Sequence, residues 1–173
     1  MWYDKNGNIT KTYDETNNSV FLGKNRYAPW IGGFGTNFTW KGLSVIADFA
    51  WQSGKYMLVN DNYFIKNANM GTSYNQSVDM LNVWTTPGQV TDIPAYGYDI
   101  YIDDHMLSNA SFLRMKTLTV QYQLPKSWMQ TIRYIKDIKV FGIARNLFTI
   151  TSFEGYDPEP DKNLVQFNYP NTR

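Results

Sequence analysis

The sequence contains no cysteine, so neither disulfide staples nor thiolate-held metals can stabilise or equip the fold. Its single histidine, His105, is the only candidate base for a serine–histidine–aspartate arrangement, and none is credible. Charges nearly cancel, with 16 Lys+Arg against 15 Asp+Glu and a net charge of +1. No basic stripe is present to neutralise phosphates, so nucleic acid is not an expected partner. No run of eighteen or more apolar residues occurs, which excludes a transmembrane helix. The opening Met1-Trp2-Tyr3-Asp4-Lys5 has no basic segment followed by an apolar one, so any export signal is expected upstream and the chain is expected to be a piece of a longer protein.

Aromatic residues are abundant instead. They make up 17% of the 173 residues, and they lie among polar residues, with asparagine recurring throughout. The mean hydropathy is negative, yet a membrane β-strand needs only about 9–11 residues with every second one facing lipid. Average hydropathy therefore leaves a barrel open.

The chain reads as strands separated by punctuated loops. Asn6-Gly7 between β-formers signals a hairpin at the start, because both residues tolerate positive φ. Four strands are expected near 29–41, 43–53, 109–124 and 137–152. In the first, Trp30, Gly32, Phe34, Thr36, Phe38 and Trp40 share one face. After the two-residue joint Lys41-Gly42, the second puts Leu43, Val45, Ala47, Phe49 and Trp51 on one face and Ser44, Ile46, Asp48, Ala50 and Gln52 on the other. Period two alone says only that a sheet is half-buried, as in a soluble sandwich. The aromatics add that Trp30 and Trp51 fall at one end of the hairpin and Trp40 at the other, as two interfacial girdles require. The expected lipid-facing belt is Trp30, Phe34, Phe38, Trp40, Phe49 and Trp51, with Asn37, Ser44 and Asp48 on a wet face.

Residues 53–108 read as one long irregular connection, with a short amphipathic helix around Ser77–Trp84. A structureless loop of that length counts against a compact soluble domain and is ordinary outside a membrane barrel. The third strand ends at Pro125, and a short connection with a helical turn near Trp128 leads to the fourth. Arg114 and Lys116 read as sharing a face with Leu118, Val120 and Tyr122, near the headgroups, where long side chains can snorkel. The loops alternate long and short, which places 53–108 and 153–170 outside the cell.

Three motifs, in order, resemble a known family. Asn109-Ala110-Ser111-Phe112-Leu113-Arg114-Met115-Lys116-Thr117-Leu118-Thr119-Val120-Gln121-Tyr122-Gln123-Leu124-Pro125 is similar to the SYLRLKNITLGYTLP strand of SusC/RagA-type TonB-dependent transporters of Bacteroidetes. Ile138–Thr149 resembles their LRVYVSGQNLFT strand, and Glu154-Gly155-Tyr156-Asp157-Pro158-Glu159 their KGYDPE signature. More loosely, Gly33–Gly42 resembles the GFGTNLSYKGFD hairpin. The resemblance covers roughly residues 23–170. It implies an all-β fold, an antiparallel transmembrane β-barrel segment of about four strands from a large plugged barrel with long extracellular loops. It further implies nutrient import across the outer membrane, with glycan or peptide cargo, a SusD-like surface lipoprotein as partner, and TonB engaged through parts absent here. Plug, TonB box and last strand are not expected within this chain. Four strands cannot close a barrel, and their open edges would need partners, so the segment is expected to be ordered only within a longer barrel or an assembly.

Other motifs carry little chemistry. Asp4-x-Asn6-x-Asn8 with Glu15 resembles a calcium loop only faintly, since the sixth place holds Ile9 and Gly7 suits a turn. Asp103-Asp104-His105 cannot converge on one ion from extended backbone, so no metal and no cofactor is expected. Asp157-Pro158-Glu159-Pro160-Asp161 reads as a proline-stiffened loop, and Gly32-Gly33-Phe34-Gly35 lacks the lysine and helix of a phosphate cradle. Aromatic faces stack on sugars, so Tyr63, Trp84, Tyr96, Tyr98 and Tyr101, with Tyr56, Phe64 and Tyr74, are candidates for contact with cargo or the lipoprotein. A soluble all-β carbohydrate-binding module is the alternative reading. A glycosidase needs two convergent carboxylates, and no pair is placed for that, so an enzyme is not expected.

Overall fold

The computed structural model describes residues 2–98, 100–129 and 134–160. A small hairpin opens the chain, β1 (Trp2–Tyr3) against β2 (Ile9–Thr10). Asp4 closes its turn. The Asp4 carboxylate accepts N–H bonds from Asn6 at 2.8 Å and Asn8 at 2.7 Å, and Gly7 takes φ 81°. Bonds from the Asn8 side chain and backbone hold Asp4 below the usual carboxylate range. This carboxylate is occupied by its own turn, as the glycine placement implied.

The main sheet is built on β3 (Trp30–Trp40) and β4 (Leu43–Ser53). Between them Lys41 and Gly42 have φ of 44° and 89°, the two positive values of a type I′ turn whose twist matches antiparallel strands. β4 pairs with β7 (Phe112–Gln123), and β7 with β8 (Lys139–Arg145) and β9 (Thr149–Thr151), in the order β3-β4-β7-β8 with β9 also on β7. A two-stranded annex, β5 (Tyr56–Leu58) with β6 (Leu107–Asn109), closes the neck of the long connection.

The register sorts the faces. Phe34 pairs with Phe49, Phe38 with Val45 and Trp40 with Leu43; Val45 pairs with Val120 and Trp51 with Leu113; Val120 then meets Gly142 and Leu113 meets Ile150. One face is thus continuously apolar. Among the described residues no second sheet covers it: Trp30, Phe34, Phe38 and Trp40 are more than half exposed, while Phe49 and Trp51 are half-buried. Gly32 lets the Trp51 ring lie across it, since a Cβ there would come within 2.8 Å of the indole. Asn37, Ser44 and Asp48 lie on the other face with Thr117, Thr119 and Gln121.

Three expectations need correction. The strand expected near 137–152 is two strands, β8 and β9, interrupted where Asn146 adopts φ 49°. The ladder bridges the gap through Asn146 N–H to the Lys116 carbonyl (3.0 Å) and Met115 N–H to the Phe148 carbonyl (3.1 Å). Next, Arg114 does not share a face with Leu118, Val120 and Tyr122. Asp48 pairs with Thr117 but Phe49 with Met115, so Lys116 is an extra, bulged residue. One inserted residue exchanges the faces of everything beyond it, and Arg114 lands on the polar face, 4% exposed. It does not snorkel.

The third correction concerns residues 53–108, which are not structureless. They contain the β5–β6 annex, a helix Asp61–Ile65, and 3₁₀ turns at Ala68–Met70, Val78–Asn82 and Asp104–Met106. The helix expected at Ser77–Trp84 is the second of these turns, capped by the Ser77 hydroxyl. Ala68, Met80, Val83 and Ile93 form a small core inside the connection. Met57, Val59, Ala110 and Phe153 form another where it joins the sheet. Expectations for residues 161–170 lie outside the described residues.

Candidate functional site

The end of the sheet away from the Lys41-Gly42 turn carries both long connections, and two features meet there. The first is a charged clasp on the polar face. The bulge at Lys116 aims Arg114 inward, where Nε donates to the Thr149 hydroxyl at 2.8 Å on the neighbouring β9. Nη2 reaches the Asp157 carboxylate at 2.7 Å and Nη1 the Glu159 carboxylate at 2.5 Å. Lys116 also pairs with Glu159. From the β4–β5 junction Lys55, 1% exposed, donates to the carbonyls of Pro158 (3.1 Å) and Glu159 (3.0 Å). The Glu159 N–H returns to the Asp157 carboxylate at 2.9 Å.

Burying charges is costly unless each is paired and hydrogen-bonded. Here the guanidinium fork is filled by two carboxylates and a hydroxyl, the bidentate-capable geometry in which arginine exceeds lysine. The clasp pins residues 157–159 to the polar face. Phe153, buried beside Met57, Val59 and Ala110, pins the segment at its start. The acidic, proline-stiffened loop is therefore an ion-paired element, beyond the loop-shaping role read from its prolines.

The second feature is an open cleft of about 1630 Å³ between the N-terminal hairpin and the folded connection. Trp2, Tyr13 and Tyr101 form an aromatic trio there, with ring centroids 5.0–5.4 Å apart and Tyr13 stacked on Tyr101. Tyr98 also lines it. Across the cleft Lys66 pairs with Asp79 at 2.9 Å, and the hydrogen bond and charge of Lys66 hold Asp79 below the usual carboxylate range. Glu154 contributes from the clasp-held segment.

The structure does not gather all the aromatics expected to act together. Tyr98 and Tyr101 line the cleft, whereas Tyr63, Trp84 and Tyr96 do not. Tyr63 is half-buried against Phe64, which in turn packs on Tyr74. Tyr56 is half-buried beneath the Lys24 ammonium, 4.2 Å from its ring centroid. Tyr96 is two-thirds exposed and Trp84 about one-third exposed, its backbone N–H bonded to the Ile93 carbonyl. Sequence reasoning missed Trp2 and Tyr13, which are far from Tyr101 in the chain. It also missed the pairing of Arg114 with Asp157, although both motifs were recognised separately. His105 sits in a 3₁₀ turn whose N–H bonds to the Asp103 carboxylate, and no metal-ligating cluster occurs among the described residues.

No family model matches the chain. It is 39% identical to a chain of the RagAB peptide importer in its closed-closed state, with a TM-score of 0.83, covering 97% of this chain and 19% of that one. The open-open state gives a TM-score of 0.79 at the same identity, over 90% of this chain and 17% of that one. Among curated proteins it is 25% identical over 171 residues to TonB-dependent receptor SusC of Bacteroides thetaiotaomicron, 98% of this chain and 16% of that protein. TonB-dependent receptor P39 of Formosa agariphila is 23% identical, over 92% of this chain and 16% of the relative. TonB-dependent receptor P3 of the same organism is 27% identical, over 82% and 15%. The chain thus spans about a sixth of the curated relatives it matches.

Proposed function

We propose that this chain, a segment of a SusC/RagA-type TonB-dependent transporter, supplies four consecutive wall positions of an outer-membrane barrel that imports oligopeptides. The observation that carries the reading is the uncovered apolar face running from Trp30 on β3 across β4 and β7 to Val140 and Ile150. A soluble sheet would cover such a face with a second layer, whereas a membrane barrel turns it to lipid and its polar face to the lumen. The belt of Trp30, Phe34, Phe38, Trp40, Phe49 and Trp51 then spans the hydrocarbon, with tryptophans toward both interfaces.

In this orientation the clasp and the cleft lie at the extracellular mouth. Peptide is favoured over glycan because the RagAB peptide importer is the relative at 39% identity, against 25% for SusC. A SusD-like surface lipoprotein caps the mouth, and TonB acts through parts of the protein beyond this segment. The role is transport, with the clasp shaping the wall. The carbohydrate-binding alternative gains nothing from the geometry, because Trp2 lies tilted to Tyr13 and edge-on to Tyr101, so the trio presents no flat row of rings.

Removing the parent gene and following uptake of labelled peptide and glycan pools tests the reading. Loss of peptide uptake with glycan uptake intact is expected. Loss of glycan uptake alone would overturn the cargo, and no change in either would overturn import.

A further inference from the structure

The cleft carries a more specific inference, which rests on the peptide reading above and narrows it. The cleft, of about 1630 Å³, is open to solvent, so it can admit part of an extended oligomer. One wall is the aromatic trio, where Tyr13 and Tyr101 remain more than two-fifths exposed. Ring faces attract cations through their quadrupole. The charge on the walls is lopsided, although the whole chain is nearly neutral. Lys66 is engaged by Asp79, which leaves one cation, Lys11, and three carboxylates, Asp92, Asp103 and Glu154, among the charges that line the cleft. A cleft with one excess sign focuses its field on the opposite charge.

The walls are also held in place before any ligand arrives. Glu154 follows the buried Phe153 and precedes the clasped residues 157–159, and its N–H approaches the Ser108 hydroxyl at 3.4 Å. Asp103 is oriented by the His105 N–H. Preorganised groups bind without the ordering cost of mobile ones. We propose that this cleft is a subsite for oligopeptides bearing lysine or arginine side chains, with the cation placed between the Tyr13–Tyr101 stack and the carboxylates. Charge-assisted hydrogen bonds to carboxylates and the ring faces together set the preference.

The test uses the intact transporter in lipid and two fluorescent peptides of equal length, one lysine-rich and one glutamate-rich. The lysine-rich peptide should bind about tenfold tighter, a preference that shrinks with salt. Asp92→Asn with Glu154→Gln should remove most of that preference and spare the weaker binding of the glutamate-rich peptide. Tyr101→Ala should weaken the lysine-rich peptide alone. Equal binding of both peptides to the unaltered protein, or a preference for the acidic one, would overturn the subsite and leave peptide import standing. Binding of neither peptide would overturn both. Retention of the full preference by Asp92→Asn/Glu154→Gln would place the basic-peptide site elsewhere and contradict the proposal.

Discussion

Arg114 and Asp157 are 43 residues apart in sequence, and their guanidinium and carboxylate meet at 2.7 Å with both side chains 5% exposed. The pair fastens the loop after β9 to the polar face of the sheet. It exists only because the bulge at Lys116 turns Arg114 to that face.

Breaking this pair from one side leaves a buried charge uncompensated, at a cost of about 3–5 kcal/mol. Arg114→Ala in the intact barrel should therefore free residues 157–160 before the sheet melts, while Phe153 keeps the start of the segment in place. Limited proteolysis should cut that segment, with the barrel otherwise intact. Arg114→Met combined with Asp157→Leu should recover much of the loss, since both charges are then gone.

The Lys41-Gly42 turn gives a local test. Gly42 has φ 89°, and a Cβ there would sit 2.8 Å from the Gln123 carbonyl, which is backbone and cannot step aside. Gly42→Ala should destabilise the barrel by about 1–3 kcal/mol, read from its unfolding midpoint in urea. Lys41→Gly, which relieves a positive φ, should not.

The hairpin was legible because its alternation is unbroken and its turn is two residues long. The third strand was legible in extent but not in facing. In Leu113-Arg114-Met115-Lys116-Thr117-Leu118 two adjacent polar residues interrupt period two, which is the sign of a bulge, yet counting straight through it puts Arg114 on the wrong face. The clasp was invisible for the same reason, since its partners meet only after register is known. The long connection looked irregular because Ala68, Met80, Val83 and Ile93 pack without any period. The cleft joins Trp2 and Tyr13 to Tyr101 across the chain, and no local pattern reports such a meeting.

Acid should loosen the connection locally. Asp79 has its pKa lowered from 3.8 by Lys66, so its contribution is present above that value and is lost as pH falls through the lower folded pKa. The pair is exposed and its effect is small. Protection of the Ser77 amide, bonded to the Ile65 carbonyl at 2.8 Å, should decline below about pH 4 once intrinsic exchange is corrected. Asp79→Asn should show no such decline.

Charge on the apolar face should be costly where charge on the other face is not. Leu118→Arg should destabilise the barrel by about 2–4 kcal/mol if it lies near the bilayer midplane. Thr119→Arg, one residue on and facing the opposite way, should cost far less. Equilibrium unfolding of the two variants from lipid vesicles compares them.

The most direct measurement is a single-cysteine spin-label scan of residues 112–123 in the membrane-inserted parent protein, comparing access of oxygen and of a water-soluble nickel chelate. Leu113, Met115, Leu118, Val120 and Tyr122 should favour oxygen, with the alternation skipping one residue at Lys116. Phe112, Arg114, Thr117, Thr119 and Gln121 should not. An alternation that runs unbroken through Lys116, or access to nickel on both faces, would contradict the account.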